Sequence, residues 1–171
     1  EAVRAACAEA AQGEVVEPVN FNAPSQVVIA GHKAAVERGM AAAKSRGAKR
    51  AVLLPVSAPF HSSLLKPAAD RLRVRMQQVT FNIPRVAVVN NVDVAVVNDP
   101  VQIKDALARQ ACNPVRWVET VRAFSGQGVT HVVECGPGKV LAGLTRRIAG
   151  NLQGFAVTDP ASLQQTLEAL R

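Results

Sequence analysis

The feature that most constrains the fold is an alternation. Short valine-rich runs, at residues 51–56, 86–89, 129–134 and 155–158, are separated by segments long enough for helices. Runs this short and apolar read as strands buried on both faces, and the intervening helices bring each strand back parallel to the last. The chain is therefore expected to be α/β, with a parallel sheet covered by helices. The helix ends are marked. Asp99-Pro100-Val101-Gln102 supplies an N-cap acid, a proline at the first helical position and a glutamine at the third, opening a helix to about Cys112. Pro67 opens another to about Val79, with Ala68, Ala69, Leu72, Met76 and Val79 as its apolar stripe. Further helices are expected near residues 115–124, 139–149 and from Asp159-Pro160 to Arg171.

The first 56 residues follow another pattern. An alanine-rich helix over residues 1–12 ends at Gly13. Strands over 15–21 and 26–30 flank a turn of Asn22, Ala23, Pro24 and Ser25. A helix over 32–46 and the strand 51–56 complete the order helix, strand, strand, helix, strand. A ferredoxin-like unit runs βαββαβ, so only a first strand, before Glu1, is missing.

Composition excludes several classes. With 49% hydrophobic and 19% charged residues the chain is globular, and no apolar run approaches the about 20 residues of a bilayer span. Three cysteines with no C-x-x-C spacing argue against a disulfide framework and point to a reducing cytoplasm. The three histidines, His32, His61 and His131, lie far apart and give no metal-ligand pattern. A net charge of +7 fits a solvated basic surface or an acidic partner: a nucleic acid, a phosphorylated cofactor or an acidic protein.

In an open parallel sheet, ligands bind beyond the carboxyl ends of the strands. Residues 57–63, 90–93 and 135–138 are the loops so placed. The first holds His61, a general base near neutral pH or a surface or capping residue. Asn90 and Asn91 orient a ligand or satisfy a turn. Gly136-Pro137-Gly138 either presents backbone N–H groups to an anion or is a plain strand-to-helix turn. None of the seven serines sits in G-x-S-x-G, so no covalent mechanism is completed by this sequence.

Several segments together carry a resemblance. Asn20-Phe21-Asn22-Ala23-Pro24-Ser25-Gln26-Val27-Val28-Ile29-Ala30-Gly31 resembles the hairpin of bacterial malonyl-CoA:acyl carrier protein transacylases. Leu54-Pro55-Val56-Ser57-Ala58-Pro59-Phe60-His61-Ser62 resembles their catalytic-histidine segment. Asn90-Asn91-Val92-Asp93, Arg109 to Trp117 and Glu134 to Leu141 match further blocks, in the family's order. The resemblance spans essentially the whole chain and is to the C-terminal part of the family.

It implies a ferredoxin-like small subdomain over residues 1–56 and the C-terminal part of an α/β-hydrolase-like large subdomain over 57–171. The family's serine elbow, oxyanion-hole amides and carboxylate-binding arginine would lie outside the given sequence, so the chain alone is expected to be inactive. It implies ping-pong transfer of malonyl from malonyl-CoA to the phosphopantetheine thiol of acyl carrier protein in fatty acid biosynthesis, with no cofactor. His61 would be the base, oriented by the main-chain carbonyl at Gln110. Asn20 and Asn22 match polar residues near the acyl pocket. Phe60 stands where, in related polyketide acyltransferases, an aromatic accompanies malonyl and serine accompanies methylmalonyl. Lys49 and Arg50 are expected to dock the carrier protein. The complete protein is expected to be a cytoplasmic monomer.

Two alternatives belong beside this one. A polyketide synthase acyltransferase domain shares the segments, although they stand closer to the free-standing enzyme. A non-catalytic basic fragment that binds nucleic acid or an acidic protein fits the charge and ferredoxin-like order. The absence of an aromatic from residues 51–56 argues against RNA binding.

Overall fold

The computed structural model describes all 171 residues. Its contacts divide it into two compact units, Glu1–Phe21 with Gln26–Arg116, and Asn22–Ser25 with Trp117–Arg171.

In the first unit, helix α1 (Ala2–Ala11) ends at Gln12, which is left-handed, and Gly13. Strands β1 (Val16–Ala23) and β2 (Gln26–Gly31) are hydrogen-bonded neighbours joined at Pro24 and Ser25. Helix α2 (Lys33–Ser45) follows. Cys7, Ala10, Val16 and Ala35 form a small core, with Val3, Ile29 and Val36 against it. Burial pushes the Cys7 thiol pKa up. Small side chains let the layers approach closely: a Cβ on Gly31 would lie 2.0 Å from the Val15 carbonyl oxygen, so only glycine fits. Arg38 ties α2 to the end of α1, donating to the Ala10 and Ala11 carbonyls and to Glu14. Those carbonyls are the ones a helix end leaves without an intrahelical partner.

The strand expected over residues 51–56 does not form. A strand exists only when a neighbour completes its ladder, and no segment of this chain pairs with that stretch. Val52, Leu53, Leu54 and Val56 are 53%, 64%, 45% and 65% exposed. The stretch also bends, since the Val56 N–H turns back onto the Leu54 carbonyl across Pro55. The strand expected over 86–89 contributes only its last residue. The pair formed there is β3 (Val89–Asn90) with β4 (Ala95–Val96), antiparallel, with Val89 opposite Val96.

Between these stretches runs helix α3 (Lys66–Gln77), with proline in its first turn as expected. Helix α4 (Pro100–Gln110) is capped by the Asp99 carboxylate, which accepts from the Gln102 N–H. It ends two residues before Cys112, where the Asn113 side chain takes the Arg109 carbonyl. Val115 then runs beside β1: the Phe21 N–H donates to its carbonyl and its own N–H donates to the Val19 carbonyl.

The second unit contains helix α5 (Trp117–Gly126), strand β5 (His131–Cys135), helix α6 (Val140–Ile148), strand β6 (Gln153–Val157) and helix α7 (Pro160–Ala169). β5 and β6 are parallel, with His131 opposite Gln153 and Cys135 opposite Val157, and α6 is the crossover between them. Of the expected parallel sheet only this pair forms. β6 starts earlier than the run at residue 155 suggests, because pairing with β5 already begins at Gln153 opposite His131, and Gly154 passes directly under α6. A Cβ there would stand 2.6 Å from the Ala142 carbonyl oxygen. Asp159 and Ser162 close a capping box on α7. No helix is long and apolar enough to cross a membrane.

Candidate active site

The loop after residues 51–56 makes a tight reversal, and His61 sits in it with φ 63°, the left-handed region. Residues other than glycine adopt that conformation uncommonly, Asn, Asp and His more than the rest, and here surrounding contacts hold it. Three do. Ser62 is fully buried and bonds the Pro59 carbonyl through both its Oγ (2.6 Å) and its N–H (3.2 Å). The Glu17 carboxylate, reaching from β1, accepts from the Ser63 N–H (2.7 Å) and Oγ (2.9 Å). The His61 Nδ1 lies 2.9 Å from the main-chain carbonyl of Gln110.

A carbonyl oxygen can only accept, so Nδ1 carries the proton of that bond. In the neutral ring Nε2 then keeps its lone pair, the arrangement a general base needs. The residues supplying the two halves of this contact are 49 apart in sequence. Because α4 ends at Gln110, the carbonyl of that residue has no i+4 partner, and beside the imidazole it accepts a long bond from the Asn113 N–H (3.5 Å). The Gln110 side chain turns the other way, donating to the Asn113 (3.1 Å) and Pro114 (3.4 Å) carbonyls.

The end of α4 is anchored by ion pairs. Arg109 forks onto both Asp93 oxygens (2.7 and 2.8 Å), in the turn between β3 and β4, and its Nε meets Asp105 (2.6 Å). Arg73 of α3 bonds the other Asp105 oxygen (2.7 Å). The hydrogen bond from Arg109 holds the Asp93 carboxyl below its ordinary range, and those from Arg73 and Arg109 do the same for Asp105. The two carboxylates hold the Arg109 guanidinium firmly protonated. Asn91 lies in the same turn and bonds the Arg116 N–H. The turn between β3 and β4 thus buttresses α4 and the segment after it. Asn90 closes the turn on itself, donating to the Ala95 carbonyl and accepting from the Asp93 N–H.

Asn20 lies on β1 opposite Val115, so the backbone ladder carries it to the segment that follows Gln110. Asn22 is two residues further along β1. Phe60, beside His61, is 52% exposed. Lys49 and Arg50 are exposed on the approach to residues 51–56. The sequence does not single out Glu17 or the Arg109–Asp93 pair. Asp93 sits within a loop marked by its place after a run, but nothing in the order of residues points from Glu17 to Ser63.

The Gly136-Pro137-Gly138 loop leads into α6, whose Ala142 N–H donates to the Glu134 carboxylate (2.9 Å). An internal anion thus occupies that helix N-terminus. The thiol of Cys135 is exposed beside the loop.

No protein-family model matches the chain. Its homologues are named malonyl CoA-acyl carrier protein transacylases. The one from Salmonella typhimurium is 57% identical over 162 residues, which is 95% of this chain and 52% of that protein. A solved acyl-carrier-protein S-malonyltransferase from Burkholderia pseudomallei is 65% identical, with a TM-score of 0.95 over 97% of this chain and 54% of its own. A malonyl-transacylase solved with a type II polyketide acyl carrier protein is 53% identical, with a TM-score of 0.97 over 98% of this chain and 54% of its own. The chain spans about half the length of the curated relatives it matches.

Proposed function

We infer that this chain is the histidine-bearing part of a malonyl CoA-acyl carrier protein transacylase, an acyltransferase moving malonyl from CoA to a carrier-protein thiol. The contact of the His61 Nδ1 with the Gln110 carbonyl carries the reading, together with relatives more than 50% identical across nearly the whole chain.

The mechanism follows from the tautomer. A serine outside the given sequence attacks the malonyl thioester carbonyl, and His61 Nε2 takes its proton. The imidazolium spreads its charge toward the Gln110 carbonyl, which stands where an aspartate serves in the familiar triad. The tetrahedral adduct collapses, the C–S bond breaks and CoA leaves as its thiol with the proton returned. The carrier thiol then attacks the malonyl ester, again giving its proton to His61, and the serine is regenerated. No cofactor enters these steps. Phe60 beside the base crowds an α-methyl group and favours malonyl over methylmalonyl. Asn20 and Asn22 lie near the acyl pocket, and Lys49 and Arg50 receive the acidic carrier protein.

The subdomain assignment belongs to the same reading. The hairpin β1–β2 with α1 and α2 supports a ferredoxin-like unit within residues 1–56, its last strand unpaired in this chain and the compact units dividing near residue 116 instead, and the β5–α6–β6 crossover supports a large α/β subdomain within 57–171. The complete protein is taken as a cytoplasmic monomer. Likeness to the transacylase solved with a polyketide carrier protein favours a second acceptor class, tested by offering carrier proteins of both kinds.

In the complete protein, His61→Ala lowers the rate of malonyl-enzyme formation by about 10²–10⁴-fold. Gln110→Ala lowers it far less, since alanine keeps the carbonyl. The 171-residue chain alone transfers no malonyl to holo carrier protein. Single-turnover malonylation followed by intact mass reads the variants, and an unimpaired His61→Ala protein would refute the reading.

A further inference from the structure

His61 depends on the place of one carbonyl, and that carbonyl belongs to the last residue of a helix. The last turn of α4 has no i→i+4 ladder to fix it, and the backbone offers it one long bond, from the Asn113 N–H at 3.5 Å. The stronger restraint comes from Arg109, the residue immediately before Gln110. Its guanidinium bridges Asp93 of the β3–β4 turn and Asp105 one turn back on α4, and Arg73 ties Asp105 to α3. The Arg109 carbonyl is held from the other side by the Asn113 amide (2.6 Å). The peptide linking residues 109 and 110 is therefore gripped at both ends of its first residue. The Gln110 oxygen that accepts from the imidazole belongs to the next peptide.

We propose that Arg109 is a positioning residue for the reaction, setting through Asp93 and Asp105 the Gln110 carbonyl against which the His61 imidazole is oriented. The proposal rests on the reading of His61 as the base. Its chemistry is specific to a guanidinium, which engages two carboxylates at once in a fixed fork. An ammonium is a point charge and satisfies one of them well.

The test is made in the complete protein by single-turnover malonylation. Arg109→Met lowers the rate of acyl-enzyme formation by about 10- to 100-fold, the scale of a displaced catalytic group, with little change in KM for malonyl-CoA. Arg109→Lys recovers part of the loss. In a His61→Ala background Arg109→Met causes no further loss, because the group it positions is gone. Asp93→Asn lowers the rate in the same direction and serves if Arg109→Met folds poorly, thermal melting being the check. Equal losses with and without His61, or a folded Arg109→Met protein that acylates at the parent rate, would overturn the proposal. A His61→Ala protein that acylates normally would overturn the functional reading and this proposal together. That outcome differs from one in which only the Arg109 variants stay active.

Discussion

At the scale of one residue, His61 holds a backbone conformation that its own side chain disfavours. A Cβ in the left-handed region costs about 1–2 kcal/mol, and His61 is there at φ 63°. Glycine is ordinarily less stabilising than alanine by about 0.5–1 kcal/mol. At this position the order inverts. His61→Gly should be more stable than His61→Ala by about 1 kcal/mol, read as the difference in urea midpoints at equal slope. An alanine variant equal to or above the glycine one would mean that the reversal relaxes once the imidazole leaves. The histidine itself was legible in the sequence, as a titratable residue in the loop after an apolar run. Its φ was not, because that is imposed by Ser62, by Glu17 on β1 and by a carbonyl 49 residues away.

At the scale of elements, what the sequence disclosed and what it did not divide along the range of the forces involved. Caps are local, so Asp99 with Pro100 and Asp159 with Pro160 announced α4 and α7, and both form. Strands are pairings, so residues 51–56 carried the composition of a strand and form none without a partner. The ion pairs joining α3, α4 and the β3–β4 turn are pairings too, and they make stability depend on pH. Asp93 has its folded pKa depressed, chiefly by the Arg109 hydrogen bond. Its contribution is therefore full above the unfolded carboxylate value of about 3.9 and is lost as pH falls through the lower folded value. Asp93→Asn should destabilise at pH 7 by up to about 1 kcal/mol, the exposed site limiting the effect. The gap between parent and variant should close below pH about 4. Denaturant midpoints across that range check it, and a gap constant with pH would show that the carboxylate charge contributes nothing.

For the molecule as a whole the net charge is +7, and some of that excess is already engaged within the chain: Arg38, Arg46, Arg73 and Arg109 each face a carboxylate. Lys49 and Arg50 stand exposed beside the stretch that leads to His61. Rim charges act mainly on encounter, and their reach is about 10 Å at 0.1 M salt. Reversing both in the complete protein should raise the KM for holo carrier protein several-fold at low salt and leave transfer to free pantetheine nearly unchanged. Equal losses with the two acceptors would remove these residues from docking. The unpaired stretch at 51–56 bears on solubility. In this chain Val52, Leu53 and Leu54 stand exposed to recruitment by a foreign strand. Dry cross-β zippers need about six or seven residues without proline. Pro55 withholds an N–H and the Val56 amide is folded back onto Leu54, which leaves any recruited ladder too short to propagate. In the 171-residue chain the bend at Pro55, just before the His61 loop, therefore limits how far such a ladder extends.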